Sequence, residues 1–337
     1  MDNVFCTLFD SNYIDKGITL YLSMAKHLDD FRLYVFAFDD KCYEILRNEA
    51  YQGLIPVSLA EFETPDLLRV KKERTRAEYC WTCSPWIIKH VLDHYHEGIC
   101  TYIDADMEFF SSPQPVFDEM RIKGCSVIIV PHRFQTPEAE KEAHDTVGSY
   151  CVEFNTFVNN DDGRRVLDWW AERCLEWCYY AVPGTTEWYG DQKYLNVFPE
   201  KFPGVMICEH IGVGLAPWNI KLVNYDHEEA GKLYIRVKAT GKVFPVVLYH
   251  FENVSFLTNH ILHVSSRTNE KDLHGHIYDP YVKRLMENRK HIEQKYDFQL
   301  SKAKRVVTKN PVIAVYQKYV SPFRRVKHLH DLYWIEQ

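Results

Sequence analysis

Through the first 130 residues, short apolar runs alternate with longer stretches in which apolar positions recur three or four residues apart. VFCTLF, FRLYVFAF and GLIPVSL predict strands, with IDKGITLYLSMAKHL and a segment near Lys41 to Glu49 as the helices between them, a βαβαβ order. A helix is expected from about Arg76 to His96, interrupted at Pro85, whose ring and missing N–H oppose a continuous helix. ICTYI (99–103) and SVIIV (126–130) are unbroken apolar runs and predict strands buried on both faces. The alternation implies a largely parallel sheet with helices on its faces, which places functional loops at the carboxyl ends of the strands.

Beyond Tyr150, CVEFNTFV predicts a strand, DDGRRVLDWWAERCLEWC an amphipathic helix starting near Asp161, GDQKYLNVF a short helix after a loop, and VMICEH and PVVLYHF later strands. No Gly-, Ser- or Pro-rich linker precedes about residue 255, so residues 1–260 are expected to form one domain. Residues 261–337 are expected to form a helical extension, with a charged surface helix at 277–298 followed by a basic tail. No internal repeat is visible.

Composition narrows the class. Hydrophobic residues make up 46% and charged residues 26% of 337, an ordinary globular balance. A net charge of −7 argues against nucleic acid as a partner. Eight basic residues and no acidic one lie between 301 and 330, so the tail is basic and the body strongly acidic. The segment MDNVFCTLFD has neither a basic n-region nor an apolar h-region, so most of the ten cysteines are expected to be reduced and buried. No strand is followed by GxGxxG and no GxxxxGK[ST] occurs, which sets aside dehydrogenases and P-loop enzymes.

One stretch concentrates chemistry. In ICTYIDADMEFF two carboxylates one residue apart follow a buried strand, and alternation on a strand would point Asp104 and Asp106 the same way. Hard oxygen ligands in that position suit Mg²⁺ or Mn²⁺ holding a diphosphate.

YIDADMEFF resembles the DxD strand of GT-A glycosyltransferases, the nucleotide-diphospho-sugar transferases. CVEFNTF, GDQKYLN, APWN and VVLYHFEN follow in the order seen in the glycogenin and bacterial lipopolysaccharide galactosyltransferase group. The likeness spans roughly residues 3 to 255 and implies a Rossmann-like mixed sheet flanked by helices. By that resemblance Asp104, Asp106 and His250 would bind the metal, with His210 as the competing ligand and Mn²⁺ favoured over Mg²⁺ by the mixed oxygen and imidazole set. Thr7, Asp10 and Tyr13 would bind the base and Arg74 the donor, with Arg76 close enough to replace Arg74. Asp191 and Gln192 would lie under the anomeric carbon, with Asn155 and Glu153 nearby on a neighbouring strand. The group's lysine after the metal histidine has no counterpart in ENVSFLTNH.

The implied activity is metal-dependent transfer of a sugar, with retention, from a UDP-linked nucleotide sugar to a hydroxyl of a bacterial surface glycan or lipid-linked glycan. The alternatives are a metal-dependent nucleotidyltransferase or phosphohydrolase, and a non-catalytic glycan-binding protein. Residues 301–330 interleave basic side chains with Val, Ile, Tyr and Phe, a pattern expected of peripheral contact with an anionic membrane on the inner, cytoplasmic face.

Overall fold

The computed structural model describes residues 3–180, 187–257, 261–264, 271–300 and 332–334. In chain order the elements are β1 (Val4–Phe9), α1 (Ile14–His27), β2 (Arg32–Ala37), α2 (Asp40–Glu49), β3 (Leu54–Ser58), α3 (Leu59–Phe62), α4 (Pro65–Lys71) and α5 (Arg76–His94). There follow β4 (Ile99–Ile103), β5 (Met107–Phe109), α6 (Gln114–Ile122), β6 (Val127–Pro131), α7 (Pro137–Asp145), β7 (Tyr150–Val158) and α8 (Asp161–Glu176). The remaining elements are α9 (Phe198–Lys201), β8 (Val205–Ile207), β9 (Val223–Glu229), β10 (Lys232–Val237), β11 (Val243–Pro245), β12 (Leu248–His250), β13 (Ser255–Phe256), β14 (Ile261–His263), α10 (Lys271–Lys295) and β15 (Leu332–Trp334).

Seven strands form the central sheet in the order β3-β2-β1-β4-β7-β6-β8. β7 runs antiparallel to both of its neighbours, and every other pairing is parallel. The parallel pairings are those the alternating pattern predicts, and the antiparallel β7 makes the sheet mixed, as the GT-A resemblance implies. One apolar layer packs α1, α2, α6 and the end of α10 on one face, and a second packs α4, α5 and α8 on the other. β9, β10 and β11 form a separate antiparallel sheet.

Two expectations need correction. α5 runs unbroken through Pro85, because Tyr79 and Cys83 before the proline and Ile87, Ile88 and Val91 after it are buried in one layer against the sheet. That burial outweighs the roughly 3 kcal/mol an internal proline costs. Nor is the helix of 277–298 only a charged surface element. α10 starts earlier, at Lys271, and buries Ile277, Tyr278, Tyr281, Val282, Leu285 and Ile292, with Tyr281 stacked on Phe251. Its charged positions meet the body as well: Arg289 lies 3.2 Å from Asp15 of α1. The basic tail at 301–330 falls outside the described residues, but β15 just beyond it pairs with β14.

Candidate functional site

The sheet order creates the site. From β1 the chain moves outward to β2 and β3, then returns to place β4 on β1's other side. In such a sheet the connections at the carboxyl ends of β1 and β4 diverge and leave a crevice there. Leu8 to Tyr13 follow β1 into this crevice, and Asp104 to Asp106 follow β4. A cavity of about 470 Å³ lies between them.

The β1 side is polar and aromatic. The Asp10 carboxylate accepts the Asn12 N–H at 2.8 Å and pairs with Arg76, while Tyr13 stands 43% exposed beside the cavity. One turn into α1, Lys16 lies 4.0 Å from the centroid of the Tyr13 ring and 3.5 Å from Asp106. The first turns of α5 supply Arg76, Cys80 and Trp81 to the opposite wall. A capping box sets the start of that helix: Thr75 Oγ1 accepts the Glu78 N–H and Glu78 accepts the Thr75 N–H.

β4 ends at Ile103, so Asp104, Ala105 and Asp106 form a turn into β5 instead of sharing a strand face. Their convergence comes from partners. β5 pairs antiparallel with β12, opposing Met107 to His250, which sets the imidazole against the aspartates from a segment over 140 residues away. His250 Nε2 lies 3.1 Å from Asp106 Oδ1 and 3.8 Å from Asp104 Oδ2, and its Nδ1 lies 2.9 Å from Glu153 Oε2. Glu153 is fully buried, and Trp218 of the APWN segment packs edge-on against the imidazole. His210 is elsewhere: its Nδ1 accepts the Gly212 N–H and its ring packs on Phe244. Among the described residues His250 is therefore the imidazole that meets the aspartates.

The electrostatics are unbalanced. Glu153 and Asp191 are buried, Asp106 and Asp104 are half-buried beside them, and the cations among them are Lys16 and, when protonated, His250. Burial pushes Asp104 up to about 7, and Asp106 and Glu153 add to the rise. Burial likewise lifts Asp191 to about 7, with Asp104 contributing. Burial also works against charge on Asp106, yet Lys16 and His250 hold it well below the usual carboxylate range. His250 is the converse: burial disfavours its charge, but Asp106 and Glu153 raise it well above the ordinary imidazole value.

Hydroxyls link the aspartates. Tyr102 donates to Asp104 Oδ1 at 2.8 Å, and the Ser84 hydroxyl interacts with both Tyr102 and Asp191. Asn155 opposes Tyr102 across β4 and β7, and neither polar atom of its buried carboxamide has a hydrogen-bond partner among the described residues. Thr7 is buried in β1, its hydroxyl also without such a partner.

Arg74 sits differently from the expectation. Arg74 is buried away from the cavity wall and donates to Thr82 and to the carbonyls of Cys174 and Leu175 at 2.7 Å, so it clamps α5 to the end of α8, and Arg76 occupies the cavity. Gln192 Nε2 donates to the Val147 carbonyl at 2.9 Å, which ties the amide to the end of α7's loop. Lys16, Tyr102, Ser84 and Trp81 escaped the sequence reading. The spacing Asp10, Tyr13, Lys16 was the one available signal, since residues three apart along a helical turn lie on one side.

No family model matches the chain. It is 30% identical over 285 residues to the uncharacterized protein YfnD of Bacillus subtilis (strain 168), covering 83% of this chain and 88% of that protein. It is also 30% identical over 282 residues to YfnF of the same organism, covering 81% and 90%. The chain belongs to the family of these two proteins. Among solved structures, the galactosyltransferase LgtC in complex with donor and acceptor sugar analogs superposes with a TM-score of 0.50 at 14% identity, covering 85% of this chain and 96% of LgtC. The fold is thus GT-A.

Proposed function

We propose that this member of the YfnD and YfnF family is a metal-dependent glycosyltransferase that moves a sugar from a UDP-linked donor to a hydroxyl of a bacterial surface glycan. The observation that carries the reading is the meeting of Asp104, Asp106 and His250 at the mouth of the β1/β4 crevice, beside a cavity with Tyr13 and Asp10 on its other wall. LgtC, with donor and acceptor sugar analogs bound, shares the fold that builds this crevice.

The donor set fits a divalent cation. Two carboxylates and one imidazole are Mn²⁺-type ligands, and a buried excess of carboxylates favours a positive ion. Asp104, Asp106 and His250 would hold it, with Glu153 fixing the imidazole from behind. When bound, the cation neutralises charge on the departing nucleotide diphosphate. The Cys151 thiol also lies near Glu153 and His250, but burial raises its pKa, and a soft thiol suits Mn²⁺ less well than the carboxylates do.

The chain's own groups do the rest. Tyr13 offers a face to the base, and Asp10, aligned by Arg76, accepts from the base edge. Lys16 adds a fixed positive charge beside Asp106, in the place where a phosphate would lie, and so supplies what the missing lysine after His250 would have given. Asp191 would receive sugar or acceptor hydroxyls, and Asn155, opposite Tyr102 on β7, offers an unpaired amide donor and acceptor. An amide is a poor nucleophile, and Gln192 is already hydrogen-bonded to Val147, which supports same-face attack with retention over a covalent intermediate at that residue. Trp81 of the cavity wall packs with Tyr180 and Tyr189, and this aromatic cluster would offer a stacking surface for the acceptor sugar.

The test is incubation of the protein with Mn²⁺ and a panel of nucleotide sugars. Slow release of UDP supports transfer, whereas pyrophosphate release would indicate a nucleotidyltransferase and the absence of any product a binding protein. The basic tail is proposed to bring the chain to a lipid-linked acceptor at an anionic surface. Among the described residues no helix is long and apolar enough to cross a membrane. Deleting residues 301–337 should remove liposome binding and spare donor hydrolysis.

A further inference from the structure

The far end of α5 carries a second cluster of metal-ligating side chains. His90 and His94 lie one helical turn apart, with rings stacked at 5.0 Å, and Glu61 of α3 reaches both. Glu61 Oε1 is 3.8 Å from His90 Nε2 and 3.7 Å from His94 Nε2. All three ligand atoms lie within 4.8 Å of one another.

These separations are informative. They are too long for hydrogen bonds, and His90 Nε2 is buried without a hydrogen-bond partner among the described residues. Ligands about 2.0 to 2.1 Å from a tetrahedral ion sit about 3.3 to 3.5 Å apart, so Glu61 and the two imidazoles close the set by drawing in a few tenths of an ångström. Three further features favour a cation. The rings of Phe36 and Phe62 hold the His90 imidazole edge-on, fixing its direction. Tyr95 donates to Glu61 at 2.6 Å and steadies the carboxylate. The cluster also sits at the C-terminus of a 19-residue helix, where unpaired carbonyls present partial negative charge.

We propose that Glu61, His90 and His94 form a site for a zinc-type divalent cation, with the fourth position open to water. Two nitrogens and one carboxylate oxygen match zinc better than manganese. The site lies about 20 Å along α5 from Cys80 at the cavity, estimated from the helical rise, and is independent of the transferase reading. Its effect would be to pin α3 to α5, the helix whose other end lines the cavity.

The experiment uses the full chain and the Asp106→Ala variant, which disables the first metal site. Zn²⁺ is titrated against a competing chelator, and Co²⁺ is used as a visible probe of tetrahedral geometry. The Asp106→Ala protein should retain a Zn²⁺ site and give intense tetrahedral Co²⁺ absorption. Adding His94→Gln, at a side chain 57% exposed and hence safe for folding, should lower Zn²⁺ affinity at least tenfold and abolish that absorption. Glu61→Gln should weaken binding in the same direction. Zn²⁺ affinity unchanged by His94→Gln, or no Zn²⁺ bound by the Asp106→Ala protein, would overturn the proposal.

Discussion

His250 is held from behind by Glu153: Nδ1 of the imidazole lies 2.9 Å from a carboxylate with no exposed surface, which leaves Nε2 directed at Asp106 and Asp104. A carboxylate in this position fixes the ring and raises its basicity as a ligand. Glu153→Gln should therefore weaken Mn²⁺-dependent UDP binding about 10- to 100-fold, measured by calorimetry, while metal-free stability changes less. Asp106→Ala and His250→Ala remove two of the proposed ligands outright and should lose metal-dependent UDP binding. Unchanged affinity in both would defeat the metal assignment.

The backbone behind Glu153 leaves no room for a side chain. Gly214 has φ +81°, and a Cβ there would come within 2.5 Å of Val130 Cγ1 and 2.7 Å of Glu153 Oε1. Gly214→Ala should cost about 1–3 kcal/mol from the left-handed conformation and overpacking combined, read as a lower denaturant midpoint, and should weaken Mn²⁺-dependent UDP binding because Glu153 must shift.

Arg74 and Arg76 separate stability from binding. Arg74→Ala strands buried carbonyls at the end of α8 and should destabilise by about 2–4 kcal/mol with little change in UDP affinity per folded molecule. Arg76 is exposed and paired with Asp10, so Arg76→Ala should leave the melting temperature within a few degrees and raise the Kd for UDP. The reverse pattern would exchange their roles.

Asp191→Asn keeps the shape of the side chain and removes its charge. Its expected signature is a fall in kcat of about 10²-fold with donor Kd nearly unchanged, because the proposed reading gives it the sugar or acceptor hydroxyls and not the nucleotide. NMR of the product formed early in the reaction should show the anomeric configuration of the donor retained. Inversion would rule out same-face attack.

Acid should loosen the protein partly through His132. Burial depresses its pKa to about 4, so the folded chain keeps it neutral where the unfolded chain, near the ordinary 6.5, takes a proton. The contribution is complete above about pH 6.5 and is lost as pH falls from there toward 4. Glu153 and His250 face it across the site, and the measurement compares His132→Phe with the native chain at pH 7.5 and pH 5. The variant should lose less stability on acidification than the native protein.

Much of the scaffold was legible in the chain. Buried strands such as ICTYI are continuous apolar runs, and α8 starts at Asp161 as its pattern predicts, because periodicity and capping are local properties. The paired aspartates after β4 were legible for the same reason. α10 was harder, since its charged positions mask the buried row from Ile277 to Ile292.

Tertiary structure decided the remainder. Whether His250 or His210 meets the aspartates depends on the register that sets Met107 opposite His250, a pairing between segments more than 140 residues apart. Which arginine reaches the cavity depends on the end of α8 claiming Arg74, and Lys16 joins the site through the turn of α1 beside the crevice. The sequence by itself determined the buried strands of the sheet and where carboxylates follow one of them, because those follow from short-range spacing. Only the packed sheet determined which distant side chains share a few ångströms, because that is a property of strand order and register and not of any single segment.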